Sequence, residues 1–293
     1  MKLLPIFSDN MVLQQQTQAP IWGESKPKKK VEITTSWDQK KYTIQADAQG
    51  KWSTKVATPV AGGPYNITIS DGKKVKLSNV MIGEVWICSG QSNMEMQVEG
   101  WGKVKNYEQE KEEANNYPNI RFLLVENAMS PTPVENITVK ENGWQVCTSK
   151  SVADFSAAGY FFGRDLNKYR NVPIGLIDTS WGGTIIETWT SNEALSTIPS
   201  MKKRLEALVG LPASQEGRKK KFEEDVETWK AEVERIDKGC VNGEAIWAAP
   251  DFNDAAWKSM KVPGLMQEQD LPGFSGLVWF RNCLLYTSDA ADD

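Results

Sequence analysis

Glu84-Val85-Trp86-Ile87-Cys88-Ser89-Gly90-Gln91-Ser92-Asn93-Met94-Glu95 is the stretch on which the reading of this chain turns. An apolar run stops abruptly at Ser89-Gly90, and polar residues follow at once. That pattern predicts a buried strand, a tight turn and then a helix or loop. In α/β folds, sites form beyond the carboxyl ends of strands. A serine there presents its hydroxyl at the rim of the sheet. Small neighbours let a carbonyl approach, and freed backbone N–H groups can hold an oxyanion. The alternative is that Ser89 and Ser92 only cap the following segment.

Further along, Ile120–Val125 and Pro173–Asp178 read as two more buried strands, with a helix from Phe155 to Lys168 between them. Strand, helix and strand in this order predict an α/β fold with a doubly wound parallel sheet. The third strand runs into Thr179-Ser180-Trp181-Gly182-Gly183-Thr184. Paired glycines just past a strand let a backbone N–H face a ligand; the alternative is a plain turn. Ser180 is a rival nucleophile. Asp178 reads as a buried hydrogen-bond acceptor, and Trp181 and Trp189 as pocket or core residues. Glu95 and Glu187 would have to flank one bond to serve as an acid/base pair.

The Gly90-Gln91-Ser92-Asn93-Met94 block departs from the Gly-x-Ser-x-Gly elbow, because Met94 stands where the second glycine belongs. It resembles the first block of the SGNH hydrolases, in the sialate O-acetylesterase branch. Phe7–Gln14 and Gly175–Trp189 are similar to that branch as well. The resemblance implies Ser92 as nucleophile and the N–H groups of Ser92 and of Gly183 or Gly182 as the oxyanion hole. It also implies sugar contacts at Gln91, Asn93 and Trp181, an acetylated sugar as substrate, and no metal or organic cofactor. The expected activity is hydrolysis of O-acetyl esters on sialic acid, probed against two alternatives: an acetyl xylan or other carbohydrate esterase, and a non-catalytic carbohydrate-binding protein. A periplasmic or extracellular parent follows from the resemblance alone.

Upstream, residues 1–79 alternate in short runs with turn residues between them, Asp71-Gly72 among them, which predicts an N-terminal β-sandwich. Residues 80–200 turn to an α/β texture, which the resemblance implies is the first half of the hydrolase domain. Residues 201–238 form an amphipathic helical connector: Phe222, Val226, Trp229, Val233 and Ile236 follow steps of four and three. Residues 239–282 return to a Trp-rich, β-like texture that resembles the start of a sandwich inserted into the catalytic domain. Residues 283–293 resemble the translation of a sequencing-library adapter, so native sequence is expected to end near Asn282.

Composition frames these readings. The 293 residues suffice for more than one domain. A net charge of −4 gives no basic field for nucleic acid, and no apolar stretch is long enough to span a membrane. The four cysteines, Cys88, Cys147, Cys240 and Cys283, show no metal or redox spacing. Twelve tryptophans suit sugar stacking or core packing. Histidine is absent, although a serine hydrolase ordinarily takes its proton with one. The resembled family carries an Asp-x-x-His pair after the inserted domain. The expectation is therefore a fragment that holds the nucleophile without its base and is inactive or nearly so.

Overall fold

The computed structural model describes residues 1–282 except 131, 213 and 275; the adapter-like tail, with Cys283, lies outside the described residues. The chain forms two compact units, Met1–Leu211 and Pro212–Asp293.

The first unit is a mixed α/β structure. Its early strands are β1 (Lys2–Leu3), β2 (Val12–Gln14), β3 (Gln18–Glu24), β4 (Lys30–Thr35), β5 (Lys41–Gln45), β6 (Lys51–Ala57) and β7 (Gly62–Ser70). Then come β8 (Lys74–Cys88), α1 (Ser92–Glu95), α2 (Tyr107–Ala114), β9 (Ile120–Leu124) and β10 (Gln145–Val146). Last are α3 (Ala157–Arg170), β11 (Ile174–Asp178), α4 (Asn192–Ser196) and α5 (Pro199–Val209). β1, β3 and β6 form a three-stranded sheet. The other eight strands form one sheet in the order β10-β9-β11-β8-β7-β4-β5, with β2 beside β8.

β8 organises this sheet. Its first part pairs antiparallel with β7, from Ser70↔Lys74 to Gly62↔Ile82. Its middle takes β2 in parallel, Val12↔Met81 to Gln14↔Gly83. Its last part pairs in parallel with β11, Ile174↔Glu84 to Asp178↔Cys88. The division at 79/80 thus falls inside one unbroken strand. Ser78 and Asn79 mark a bulge there: Tyr65↔Val80 and Ile67↔Leu77 set three steps of β8 against two of β7, and Asn79 has a φ of 56°. The run Val80-Met81-Ile82-Gly83 is buried throughout, as expected of a strand covered on both faces. Gly83 is required where it stands, since a Cβ there would collide with the Pro173 carbonyl oxygen.

β9 joins β11 in parallel on its other side, Ile120↔Ile174 to Leu124↔Asp178. Cys88, Asp178 and Leu124 therefore end three parallel strands in one row. Side-chain alternation divides two cores. Ile120, Phe122 and Leu176 pack with Phe155 and Tyr160; Leu123 packs with Ile21, Ile33, Ile67 and Trp144. Phe122 stacks on Phe155 with centroids 4.2 Å apart. α3 starts where the Ser156 hydroxyl accepts the Gly159 N–H, and it stops at Asn171, in the left-handed region. It lies close on β11, because a Cβ on Gly163 would come 2.6 Å from Leu176 Cδ1.

In the second unit, α6 (Gln215–Ile236) covers the helix expected from the apolar stripe. The stripe itself is not a packed seam: Phe222, Trp229 and Ile236 are exposed. The helix is laced instead by pairs three and four residues apart, such as Lys221–Asp225 and Arg235–Glu232. Residues 239–282 contain no strand among the described residues beyond a bridge between Val241 and Glu244. Strand-like runs need a neighbour to satisfy their amides, and Met260–Pro263 and Gly276–Arg281 have none among those residues. The tryptophans cluster instead. Trp247 packs edge-on against Trp257 and Trp279, and Arg281 donates to the Trp247 and Ala249 carbonyls and to Asp254.

Candidate active site

The row ending at Cys88, Asp178 and Leu124 delivers three loops to one rim of the sheet. The loop after β8 turns at Gly90, whose φ of +142° suits glycine. It leads at once into α1, where the Gln91 carbonyl accepts from the Met94 and Glu95 amides. Ser92 is the first residue of α1, and it is exposed. Gln91 and Asn93 on either side are exposed as well, and Trp181 is half-buried. The Ser92 N–H meets no acceptor among the described residues.

The loop after β11 is fastened to the loop after β8. Thr179 N donates to the Cys88 carbonyl and Trp181 N to the Gly90 carbonyl, each at 2.9 Å. These bonds bring Gly182 to Ser92: a Cβ on Gly182 would stand 3.5 Å from the Ser92 hydroxyl. The two glycines differ. The Gly182 N–H donates to Glu95 Oε2 at 2.7 Å. Gly183 has a φ of +75°, and a Cβ added to it would have open space around it. Its N–H has no acceptor among the described residues. Thr184 Oγ1 closes the turn on the Trp181 carbonyl at 2.7 Å and accepts from Trp189 Nε1 at 2.9 Å.

Glu95 is thus a backbone acceptor, and Asn127 Nδ2 from the loop after β9 donates to its other oxygen at 3.5 Å. Asn127 gave no sequence signal beyond its place just past a parallel strand. Glu187, the other carboxylate considered, lies 3.9 Å from Arg204 and makes no hydrogen bond with Ser92 or Glu95. Asp178 is buried and accepts from both the amide and the hydroxyl of Ser180, at 2.9 and 2.5 Å. Burial first, and Glu95 second among the raising causes, hold its carboxyl above the ordinary value, while the hydrogen bonds pull the other way. Ser180 is buried and spends its hydroxyl on Asp178, so it is no surface nucleophile. Burial, with Asp178 nearby, pushes the Cys88 thiol up to about 11, which keeps it protonated and inert. Among the described residues no cluster of His, Cys, Asp or Glu is able to hold a metal ion.

A family model described as carbohydrate esterase, sialic acid-specific acetylesterase, matches residues 82–236. The chain is similar to the sialate O-acetylesterase of Mus musculus, 31% identical over 205 residues that cover 64% of this chain and 37% of that protein. The sialate O-acetylesterase of Rattus norvegicus is 26% identical over 302 aligned positions, 94% of this chain and 51% of that protein. Among solved structures, a carbohydrate acetylesterase from Xanthomonas citri matches with a TM-score of 0.62 and 31% identity, over 67% of this chain and 44% of that one. The chain therefore spans between about two fifths and half of the curated relatives' length.

Proposed function

The chain belongs to the carbohydrate esterase, sialic acid-specific acetylesterase family, and from that premise we propose that Ser92 is the nucleophile of an enzyme that removes O-acetyl groups from sialic acid. The observation that supports this most directly is the pairing of an exposed Ser92 with Gly182-Gly183 at the rim. Since the Gly182 N–H is taken by Glu95, the oxyanion donors in this proposal are the N–H groups of Ser92 and Gly183. Gln91, Asn93 and Trp181 surround the point of attack and would contact the sugar. On this reading β8, β11 and β9 are half of an SGNH-type doubly wound sheet. The strands before them form a β-sandwich, and residues 239–282 open an inserted one.

Ser92 Oγ adds to the acetyl carbonyl carbon, and the carbonyl oxygen takes the negative charge between the two N–H donors. The bond from that carbon to the sugar oxygen then breaks, the sugar leaves with a proton, and water releases acetate from acetyl-Ser92. The Ser92 proton needs a base. The sequence holds no histidine, Glu95 is committed to Gly182 and Asn127, and Asp178 to Ser180. We therefore propose that this polypeptide alone turns over slowly.

The test measures acetate release from 9-O-acetylated sialic acid, with and without imidazole as a surrogate base, in the wild type and in Ser92→Ala. The expected result is slow, Ser92-dependent release that imidazole accelerates at least tenfold. Equal release by both proteins would refute Ser92 as nucleophile. Sugar binding with no Ser92-dependent release, even with imidazole, would favour a carbohydrate-binding protein. Fast Ser92-dependent release without imidazole would overturn the missing-base proposal alone.

A further inference from the structure

Arg121 lies near the amino end of β9, toward the end of the parallel strands away from Ser92. It sits beside Gly175 of β11 in a row three residues before the strands end, about 10 Å along the sheet. The residue is only 4% exposed. Its Nη1 donates to the Pro118 carbonyl, and its Nη2 reaches Asn79 Oδ1 at 3.4 Å. Both acceptors are neutral. Among the described residues Nε is buried with no acceptor, and no carboxylate pairs with the guanidinium. Glu84, whose amide bonds to Pro173 close by, already pairs with Arg170 at 3.0 Å. A guanidinium stays charged at any ordinary pH. Buried without an anion, it is unfavourable.

Next to it is a cavity of about 360 Å³, lined by Arg121 together with Gly63, Asn79, Asn119, Asn171 and Pro173. Asn119 and Asn171 are exposed, and their side-chain amides make no hydrogen bond among the described residues. Asn171 is held in the left-handed region as the cap of α3. The cavity thus combines one unneutralised cation, neutral amide donors and open volume, with no carboxylate in its lining. An arginine fork matches two oxygens of one anion. We propose that this cavity binds a small oxyanion, a phosphate or a carboxylate, with Arg121 as its cation.

The experiment follows thermal unfolding of the full chain in chloride, in inorganic phosphate and in acetate, all at matched ionic strength. The probes distinguish a phosphate-bearing ligand from a carboxylate. One of them is expected to raise the wild-type Tm by about 3 °C at a concentration well above its Kd. The rise should persist in Ser92→Ala, which places it away from the rim. It should vanish in Arg121→Met, whose side chain fills similar space without charge and whose Tm in chloride should equal or exceed that of the wild type. If Arg121→Met does not fold, Asn119→Leu, an exposed change, decides: the Tm rise should fall by at least half. No specific rise in the wild type, or an equal rise in the variant that is read, overturns the proposal.

Discussion

The two ends of the parallel strands handle charge in opposite ways. At the carboxyl end the charges are negative and bound: Asp178 takes two donors from Ser180, and Glu95 takes Gly182 and Asn127. At the amino end Arg121 is positive, as buried as Asp178, and meets two neutral oxygens and no carboxylate among the described residues. The same three strands supply both environments, so the sheet does not choose between them. The loops do. Those past the strand ends are cross-tied by backbone bonds from Thr179 and Trp181, which fixes a geometry around Ser92. The segments at the other end, Gly62–Pro64, Pro118–Asn119 and Asn171–Pro173, leave a cavity instead.

That contrast can be broken from the rim. Glu95→Ala removes the acceptor of the Gly182 amide and frees the two-glycine turn. A hydrogen bond to a charged group is worth about 2 kcal/mol, so urea unfolding should register a loss of that order. Ser92-dependent acetate release should fall further still, while any response to phosphate or acetate at Arg121 should survive. If the Arg121 response disappears too, the two ends are coupled and the contrast is wrong.

A smaller change tests whether α3 serves both ends. Ser156→Ala deletes the cap that accepts the Gly159 amide and should cost about 1 kcal/mol. Because Ser156 abuts the rim and Asn171 closes the other end of the helix, hydrogen exchange should quicken first near Ala157–Tyr160. Exchange that quickens first near Asn171 would reverse the assignment.

The smallest effect sharpens the electrostatic half. The Asp178 carboxyl is raised by burial, so the native state holds its proton more tightly than the unfolded chain. The stability contributed by that proton is complete below the ordinary carboxylate value of 3.8 and is lost as pH rises through the higher folded value. Asp71 runs the other way. The Ser25 hydroxyl, its largest cause, holds it down to about 2, so its contribution is present above 3.8 and lost toward pH 2. Between pH 4 and 7, Asp178→Asn should flatten a decline in stability seen in the wild type, whereas Asp71→Asn should lower stability across that range. A flat difference between wild type and Asp178→Asn over these pH values would count against a raised carboxyl at the rim.

How much of this was open to a reader of the sequence depended on range. The run before Ser89, the glycine turn, β9, β11, α3 and α6 follow from local periodicity, and the structure places each within a few residues of its expected span. Asp178 as a buried acceptor was legible too, since a carboxylate ending an apolar strand must find donors. The role of Glu95 was not: its partner, Gly182, lies 87 positions away, and no spacing rule reaches that far. The continuity of β8 was hidden for a different reason. Ser78-Asn79 looks like punctuation between two textures, and the bulge that absorbs it is visible only against the register of β7. The exposed stripe of α6 shows the reverse failure, because periodicity defines a face without saying what covers it.

That unbroken β8 makes the all-β portion part of the lever arm of Ser92. Ser92 stands four residues beyond a strand whose other half is gripped by β7, and Gln14 Oε1, from β2, accepts the Val85 amide at 2.9 Å. A protein shortened to begin at Val80 would lose the antiparallel ladder below the bulge, the parallel pairing of β2 and that side-chain clasp together. Inheritance should feel the same constraint: the strand-rich segment and the serine loop travel as one piece, and recombination between them would sever the rod on which the hydroxyl is mounted.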